Sequence, residues 1–179
     1  MKRPRRILVY GVTGSGKTTL ARQIGEITGL PWHSMDDEVG WLPGWVERRV
    51  DEQVCMVAEF VASEAWVLDT AYGHWRDLVL CRADLVVALD YPRWVSFIRL
   101  FRRTMRRAFT RETVCNGNIE TWRKVFSSDS ILVWHFRSFT GKRSRIAAWE
   151  ADLSAPPVVR LRSPVETERW LAGLRSERA

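Results

Sequence analysis

No stretch of this chain is apolar for long enough to span a bilayer, and the apolar run after the basic start "MKRPRR" is too short for a signal-peptide core. A soluble cytoplasmic protein with no membrane partner is therefore expected. Cysteine is scarce: Cys55, Cys81 and Cys115 are odd in number, far apart and without metal-finger spacing, which implies free thiols in a reducing compartment. The three histidines, His33, His74 and His135, also lack ligand spacing, and a structural role is expected for each. No repeat, low-complexity tract or linker divides the 179 residues, so residues 1–179 are expected to form a single domain. The absence of an N-K-x-D signature argues against a GTPase, and the length leaves little room for the separate helical lid domain of larger ATPases. No helix-turn-helix, zinc finger or aromatic RNA platform is legible, so nucleic acid as a partner rests on charge alone.

That charge is +7, mostly from arginine, and much of it lies in "RLFRRTMRR" (residues 99–107) and the first six residues. A cluster so local suits phosphate capture better than tracking along DNA. Tryptophan is abundant, at 10 residues, and Trp32, Trp41 and Trp45 fall in one loop-rich segment. The 46% hydrophobic, 27% charged composition is that of an ordinary globular chain and excludes disorder.

Strands alternate with helices along the chain. Residues 6–10 form a short apolar strand. A helix follows from Lys17, with Leu20, Ile24 and Ile27 on one face, and Gly29-Leu30-Pro31 stops it. "PWHSMDD" reads as a second strand ending at Asp36 and Asp37, "GWLPGW" as a loop, and residues 47–63 as a helix. "AWVLD" ends a third strand at Asp69, and "ADLVVALD" is a fourth, apolar enough to be buried on both faces. Pro92 opens a long helix to about residue 109, residues 110–118 read as a loop, and two or three helical segments run on to about 152. "PPVVRLRS" supplies a fifth strand and residues 164–175 a closing helix. This order implies an α/β fold with a mostly parallel sheet.

Between the first strand and its helix lies "GVTGSGKT", which fits G-x-x-x-x-G-K-[ST]. Gly11, Gly14 and Gly16 let the backbone curl so that N–H groups, including those of Thr13 and Ser15, converge on one anion. The helix that follows, through Thr18 and Thr19, adds its positive end. Lys17 would reach the β- and γ-phosphates of a nucleoside triphosphate, and the Thr18 hydroxyl would hold Mg²⁺. A turn that merely needs glycines would not also require the Lys-Thr pair.

The ordered set "GVTGSGKTTLARQIGEITGLP", "MDD" before "PGW", "WVLDTAYG", "ADLVVALDYPRW", the arginine-rich helix, "NGN" and "VVRLRSP" resembles the P-loop kinases of the adenylate, shikimate and gluconate kinase group. It looks most like the small adenylate-kinase-like proteins labelled DNA topology modulation proteins. The resemblance covers nearly the whole chain. It implies a P-loop NTPase three-layer α/β/α sandwich with a five-stranded, mostly parallel sheet and a helical arginine-rich lid, the lid and acceptor insert spanning about 99–140. It implies ATP and Mg²⁺ as cofactors and an ATP-dependent kinase that moves the γ-phosphate to a small-molecule or nucleotide acceptor. ATP over GTP is part of the same expectation.

By the same resemblance, Asp36 and Asp37 face the acceptor. A carboxylate there orients the acceptor hydroxyl and takes its proton, or holds Mg²⁺ through water; the alternative is a pair capping the next segment. Asp69 matches the acidic residue that supports Mg²⁺ together with Thr18. The arginine that grips a nucleoside monophosphate is absent from "LDTAYGHWR", which counts against AMP; Arg48 or Arg76 can replace it. Arg103 and Arg107 match the lid arginines that close over the transferring phosphate, the alternative being a solvated basic helix face. Trp45, with Trp41, either stacks on the acceptor or packs the lid. "NGN" is a tight turn or presents amides to a substrate. Arg137 and Arg143 are expected to face solvent, the alternative being added phosphate contacts. No four-cysteine cluster exists to staple a lid with zinc. The competing function is a nucleotide-dependent regulatory or nucleic-acid-binding protein with weak or no kinase activity.

Overall fold

Five short strands line up in parallel, and the three central ones are apolar and buried on both faces, an arrangement that fixes the layering of the molecule. The computed structural model describes residues 3–128 and 130–176. Its elements, in chain order, begin with β1 (Arg6–Gly11), α1 (Lys17–Thr28), β2 (Trp32–His33), β3 (Trp41–Leu42), β4 (Val46–Glu47), α2 (Val50–Ala62), β5 (Trp66–Leu68) and α3 (Arg76–Leu80). They continue with β6 (Leu85–Leu89), α4 (Arg93–Thr110), β7 (Thr113–Val114), β8 (Asn118–Ile119), α5 (Trp122–Val125), α6 (Ile131–Ala151), β9 (Val158–Leu161) and α7 (Pro164–Ser176). The main sheet runs β2-β5-β1-β6-β9 with every pair parallel.

The alternation within β1 divides the core. Leu8 and Tyr10 join Val57, Trp66, Leu68, Val79 and Ile146 on the face covered by α2, α3 and α6. Ile7 and Val9 join Leu20, Ile24, Val67, Val87 and Leu171 under α1 and α7. Successive side chains of a strand point to opposite faces, so a sheet between two helical layers needs near-continuous apolar strands, as β1 and β6 provide. The expected three-layer α/β architecture is the one observed.

Several boundaries differ from expectation, each for a local reason. The second strand ends at His33, short of Asp36 and Asp37. There the Ser34 carbonyl accepts from both the Asp37 and Glu38 amides, at 3.1 and 2.8 Å, and the chain winds into a π-helical turn over Asp36–Gly40. "GWLPGW" is not a plain loop but the β3–β4 hairpin, turned by Gly44 at φ +80° and Trp45 at φ +58°. The expected loop at 110–118 holds a second hairpin, β7–β8, turned by Asn116 at φ +63° and Gly117 at φ +81°. Among the described residues no helix is long and apolar enough to cross a membrane.

Helix α4 buries the seam Ser96, Leu100, Thr104 and Ala108, spaced one turn apart. Its closeness to the glycine-rich loop is extreme: a Cβ on Gly14 would lie 2.5 Å from the Ser96 carbonyl oxygen and 2.6 Å from Leu100 Cβ. With φ at +83°, position 14 admits glycine for two independent reasons.

Candidate active site

The loop between β1 and α1 is held by its own backbone. Ser15 donates its hydroxyl to the Val12 carbonyl at 2.7 Å, and Lys17 Nζ donates to the same oxygen at 3.1 Å. Gly16, at φ +100°, turns the chain into α1. His135, fully buried in α6, braces the loop from outside: its Nδ1 is 3.0 Å from the Thr13 carbonyl, so that nitrogen carries the proton and donates. Beside the loop opens a cleft of about 390 Å³ bounded by Gly14, Gly16, Thr19, Tyr91, Arg99 and Thr167. Arg99 donates to the Ser15 carbonyl at 3.3 Å and lies 5.3 Å from the Tyr91 ring centre, while the Tyr91 hydroxyl is 2.6 Å from Thr167 Oγ1.

Past the loop, Thr18 donates its hydroxyl to Asp69 Oδ2 at 2.5 Å, and the Met35 amide donates to Asp69 Oδ1 at 2.9 Å. Burial, reinforced by the nearby charge of Asp36, pushes the Asp69 pKa up to about 6. The Thr18 hydroxyl and the Asp69 carboxylate are adjacent oxygen donors, and that pair fits Mg²⁺, which takes few protein ligands and fills its shell with phosphate oxygens and water. Among the described residues no group of three His, Cys, Asp or Glu could hold a metal ion.

Lys17 shows the opposite imbalance. Burial and the neighbouring Lys142 ammonium lower its pKa to about 8, against the pull of Asp36 and Asp69, and Arg103 lowers it further. Arg103 is itself held below the usual guanidinium range by burial and by Arg107, and its Nε is buried without a hydrogen-bond partner. Arg107 is less free, with Glu120 at 3.5 Å and Glu112 at 3.8 Å. Lys17 thus has Lys142 and Arg103 beside Asp36 and Asp69 within electrostatic reach, and Arg103 in turn has Arg107 beside Asp36 and Glu120. A bound polyanion would relieve that crowding of cations.

The other sequence-expected residues fall into two groups. Asp36 belongs to the cluster, and its Oδ1 accepts a hydrogen bond from the Tyr72 phenol. Asp37 instead accepts from Ser34 Oγ at 2.5 Å. Arg48 donates to the Val39 carbonyl at 3.0 Å and lies 3.6 Å from Glu52. Trp45 packs edge-on against Trp41 with 5.7 Å between ring centres, donates its indole N–H to the Ile119 carbonyl at 3.1 Å, and carries Lys124 Nζ 3.9 Å from its ring centre. "NGN" clasps this hairpin. Asn116 Nδ2 donates to the carbonyls of Asp37 and Trp41 at 2.7 and 2.6 Å, and Asn118 Oδ1 accepts the Trp45 amide at 2.6 Å. Arg137 and Arg143 are both exposed as expected, and Arg143 also pairs with buried Asp90 at 2.8 Å, an acceptor that only the fold brings near.

Three residues at the site escaped the sequence reading. Lys142 lies 4.3 Å from the Tyr10 ring centre, its pKa lowered to about 8 by burial and by Arg145. Arg145 donates to the Tyr10 hydroxyl at 2.9 Å. Both sit on α6, one turn apart, and that i,i+3 spacing of cations was the signal available. Tyr72 offered no such signal.

The molecule has the P-loop kinase α/β fold. No protein-family model and no curated protein matches the chain, but solved structures do. A gluconokinase from Sinorhizobium meliloti 1021 is similar with a TM-score of 0.55 at 19% identity, over 99% of this chain and 97% of that one. A shikimate kinase from Acinetobacter baumannii, in complex with shikimate, gives 0.60 at 17% identity over 97% and 94%. A sugar kinase from Janibacter sp. HTCC2649 gives 0.51 at 22% over 95% and 94%. Identities this low speak to the fold, and the chemistry rests on the side chains.

Proposed function

We propose that the protein is an ATP-dependent phosphotransferase acting on a small hydroxyl-bearing acceptor that carries an anionic group. The observation that carries this reading is the convergence on Lys17: its ammonium lies within electrostatic reach of Asp36, Asp69, Arg103 and Lys142. Lys17 and the loop amides bind the β- and γ-phosphates, and the Tyr91–Arg99 cleft takes the base. Thr18 and Asp69 would hold Mg²⁺, which would supply neutralisation of the charge that develops on the phosphates. Arg103 and Arg107 stabilise charge on the transferring group. Asp36 orients the acceptor hydroxyl and takes its proton. Lys142 and Arg145, with Arg76 also within electrostatic reach of Lys142, supply the charge that an anionic acceptor meets.

The gluconokinase and shikimate kinase likeness favours a small acceptor. The finer likeness, to adenylate-kinase-like proteins labelled DNA topology modulation proteins, rests on sequence motifs alone. The test is ADP release with Mg²⁺·ATP over a panel of sugar acids, cyclic hydroxy acids, nucleosides and nucleoside monophosphates, each against the ATP-only rate. Stimulation by at least one anionic acceptor is expected. A flat panel would contradict transfer and favour the nucleotide-dependent binding protein, for which a salt-sensitive gel shift is the direct assay.

A further inference from the structure

Tyr72 touches the candidate base and has no part in the reading above. Its phenol donates to Asp36 Oδ1 from a socket shaped to hold it. A Cβ added at Gly40 would lie 2.5 Å from the phenol oxygen and 3.1 Å from the ring, so only glycine leaves room. The ring packs on Trp75 with 5.2 Å between centres. Trp75, 2% exposed, donates its indole N–H to Gln53 Oε1 at 3.0 Å, and fully buried Gln53 donates to the Arg48 carbonyl at 2.7 Å. Burial and the Asp36 charge raise the phenol pKa far above its ordinary value, so it stays a donor.

The same two strand ends are tied a second time. Asp69, just past β5, accepts the Met35 amide, while Tyr72, three residues on, reaches the side chain of residue 36. Both carboxylates of the cluster are therefore oriented by contacts between the segments that follow the paired strands β2 and β5.

We propose that Tyr72 is a positioning residue: by occupying Asp36 Oδ1 it presents Asp36 Oδ2 alone to the acceptor hydroxyl. The inference rests on the phosphotransfer reading. In that step the acceptor oxygen forms a bond to the γ-phosphorus and the bond to the β,γ-bridging oxygen breaks. The acceptor proton passes to Asp36 Oδ2, and Tyr72 keeps its own. A carboxylate free to rotate would present the wrong oxygen, or the right one at the wrong angle, for part of the time.

Tyr72→Phe removes one hydroxyl and leaves the ring. It should lower kcat about tenfold, the scale of one oriented hydrogen bond, with KM for ATP and acceptor unchanged. Gly40→Ala should lower kcat in the parent but much less in the Tyr72→Phe background, because the atom it collides with is gone. Thermal melts confirm that each variant folds. A bond of this kind also has a signature independent of turnover, a downfield hydroxyl proton resonance absent from both Tyr72→Phe and Asp36→Ala. Equal kcat for Tyr72→Phe and parent, or additive losses with Gly40→Ala, would overturn the proposal. A parent that transfers phosphate but lacks the resonance overturns positioning alone. A parent with the resonance that transfers to no acceptor overturns the phosphotransfer reading and the positioning role together.

Discussion

The two halves of the cleft are built in different ways. On the proposed donor side, nine successive positions, residues 11–19, form the glycine-rich loop and the start of α1, and local backbone places them: Gly14 and Gly16 at positive φ, Ser15 and Lys17 both bonded to the Val12 carbonyl. On the acceptor side, Asp36, Tyr72, Arg103, Lys142 and Arg145 come from four separate parts of the chain. The acceptor-side hairpin β3–β4 is held by a second hairpin more than 70 residues away in sequence, through Asn116 and Asn118. The donor half is thus a rigid local motif, while the acceptor half is an assembly of long-range contacts. Substitutions in the first should abolish chemistry at one stroke, and those in the second should change which acceptor is used.

Lys17→Ala is the most damaging variant on this view. Loss of a cation aimed at developing charge should cut acceptor-dependent ADP release by about 10²–10³-fold while the melting curve stays in place. Lys142→Ala sharpens the contrast. It should raise KM for an anionic acceptor by roughly 10–100-fold, the worth of a charge-assisted hydrogen bond, and leave KM for ATP nearly unchanged. Equal effects on both substrates would erase the division between the halves.

Asn118→Ala removes the acceptor of the Trp45 amide and the donor to the Leu42 and Cys115 carbonyls. It should destabilise the protein by about 1–3 kcal/mol, seen as a lowered melting temperature, and raise the acceptor KM without touching ATP affinity. The smallest effect belongs to His135. Burial, opposed by its bond to Thr13 and aided by Arg93 and Lys17, holds its pKa below 6.5, so the folded protein keeps it neutral. The unfolded chain takes up that proton first, and stability contributed by His135 is complete above about pH 6.5 and lost as the pH falls toward its folded pKa. Melting temperatures between pH 7.5 and 5 should show that slope, and His135→Asn, which keeps an N–H donor but cannot titrate, should flatten it.

What was legible in the sequence follows the same division. The glycine-rich loop and the apolar strands β1 and β6 declare themselves because the information is contiguous: positive-φ glycines, a Lys-Thr pair, unbroken apolar runs. Asp36, Asp69, Arg103 and Arg107 were reached only through motif order, and the fold brings them to one place. Asp37 and Trp45 illustrate the limit. Both stand in the expected segment, yet Ser34 engages the first and the Asn118–Ile119 hairpin arm engages the second, choices made by backbone turns that no periodicity encodes. Tyr72 carries no signal in the sequence, and Lys142 carries only its i,i+3 spacing from Arg145. The significance of each comes from a distant partner, Asp36, 36 residues away, in one case and the Tyr10 ring in the other.

The central claim concerns the destination of the terminal phosphate. ATP labelled in its γ-phosphoryl group, incubated with Mg²⁺, the protein and the anionic acceptor panel, measures that directly. The label should appear in an organic phosphate ester with the parent protein and vanish from it with Lys17→Ala. Label found only in inorganic phosphate, or left in ATP across the whole panel, would contradict the account.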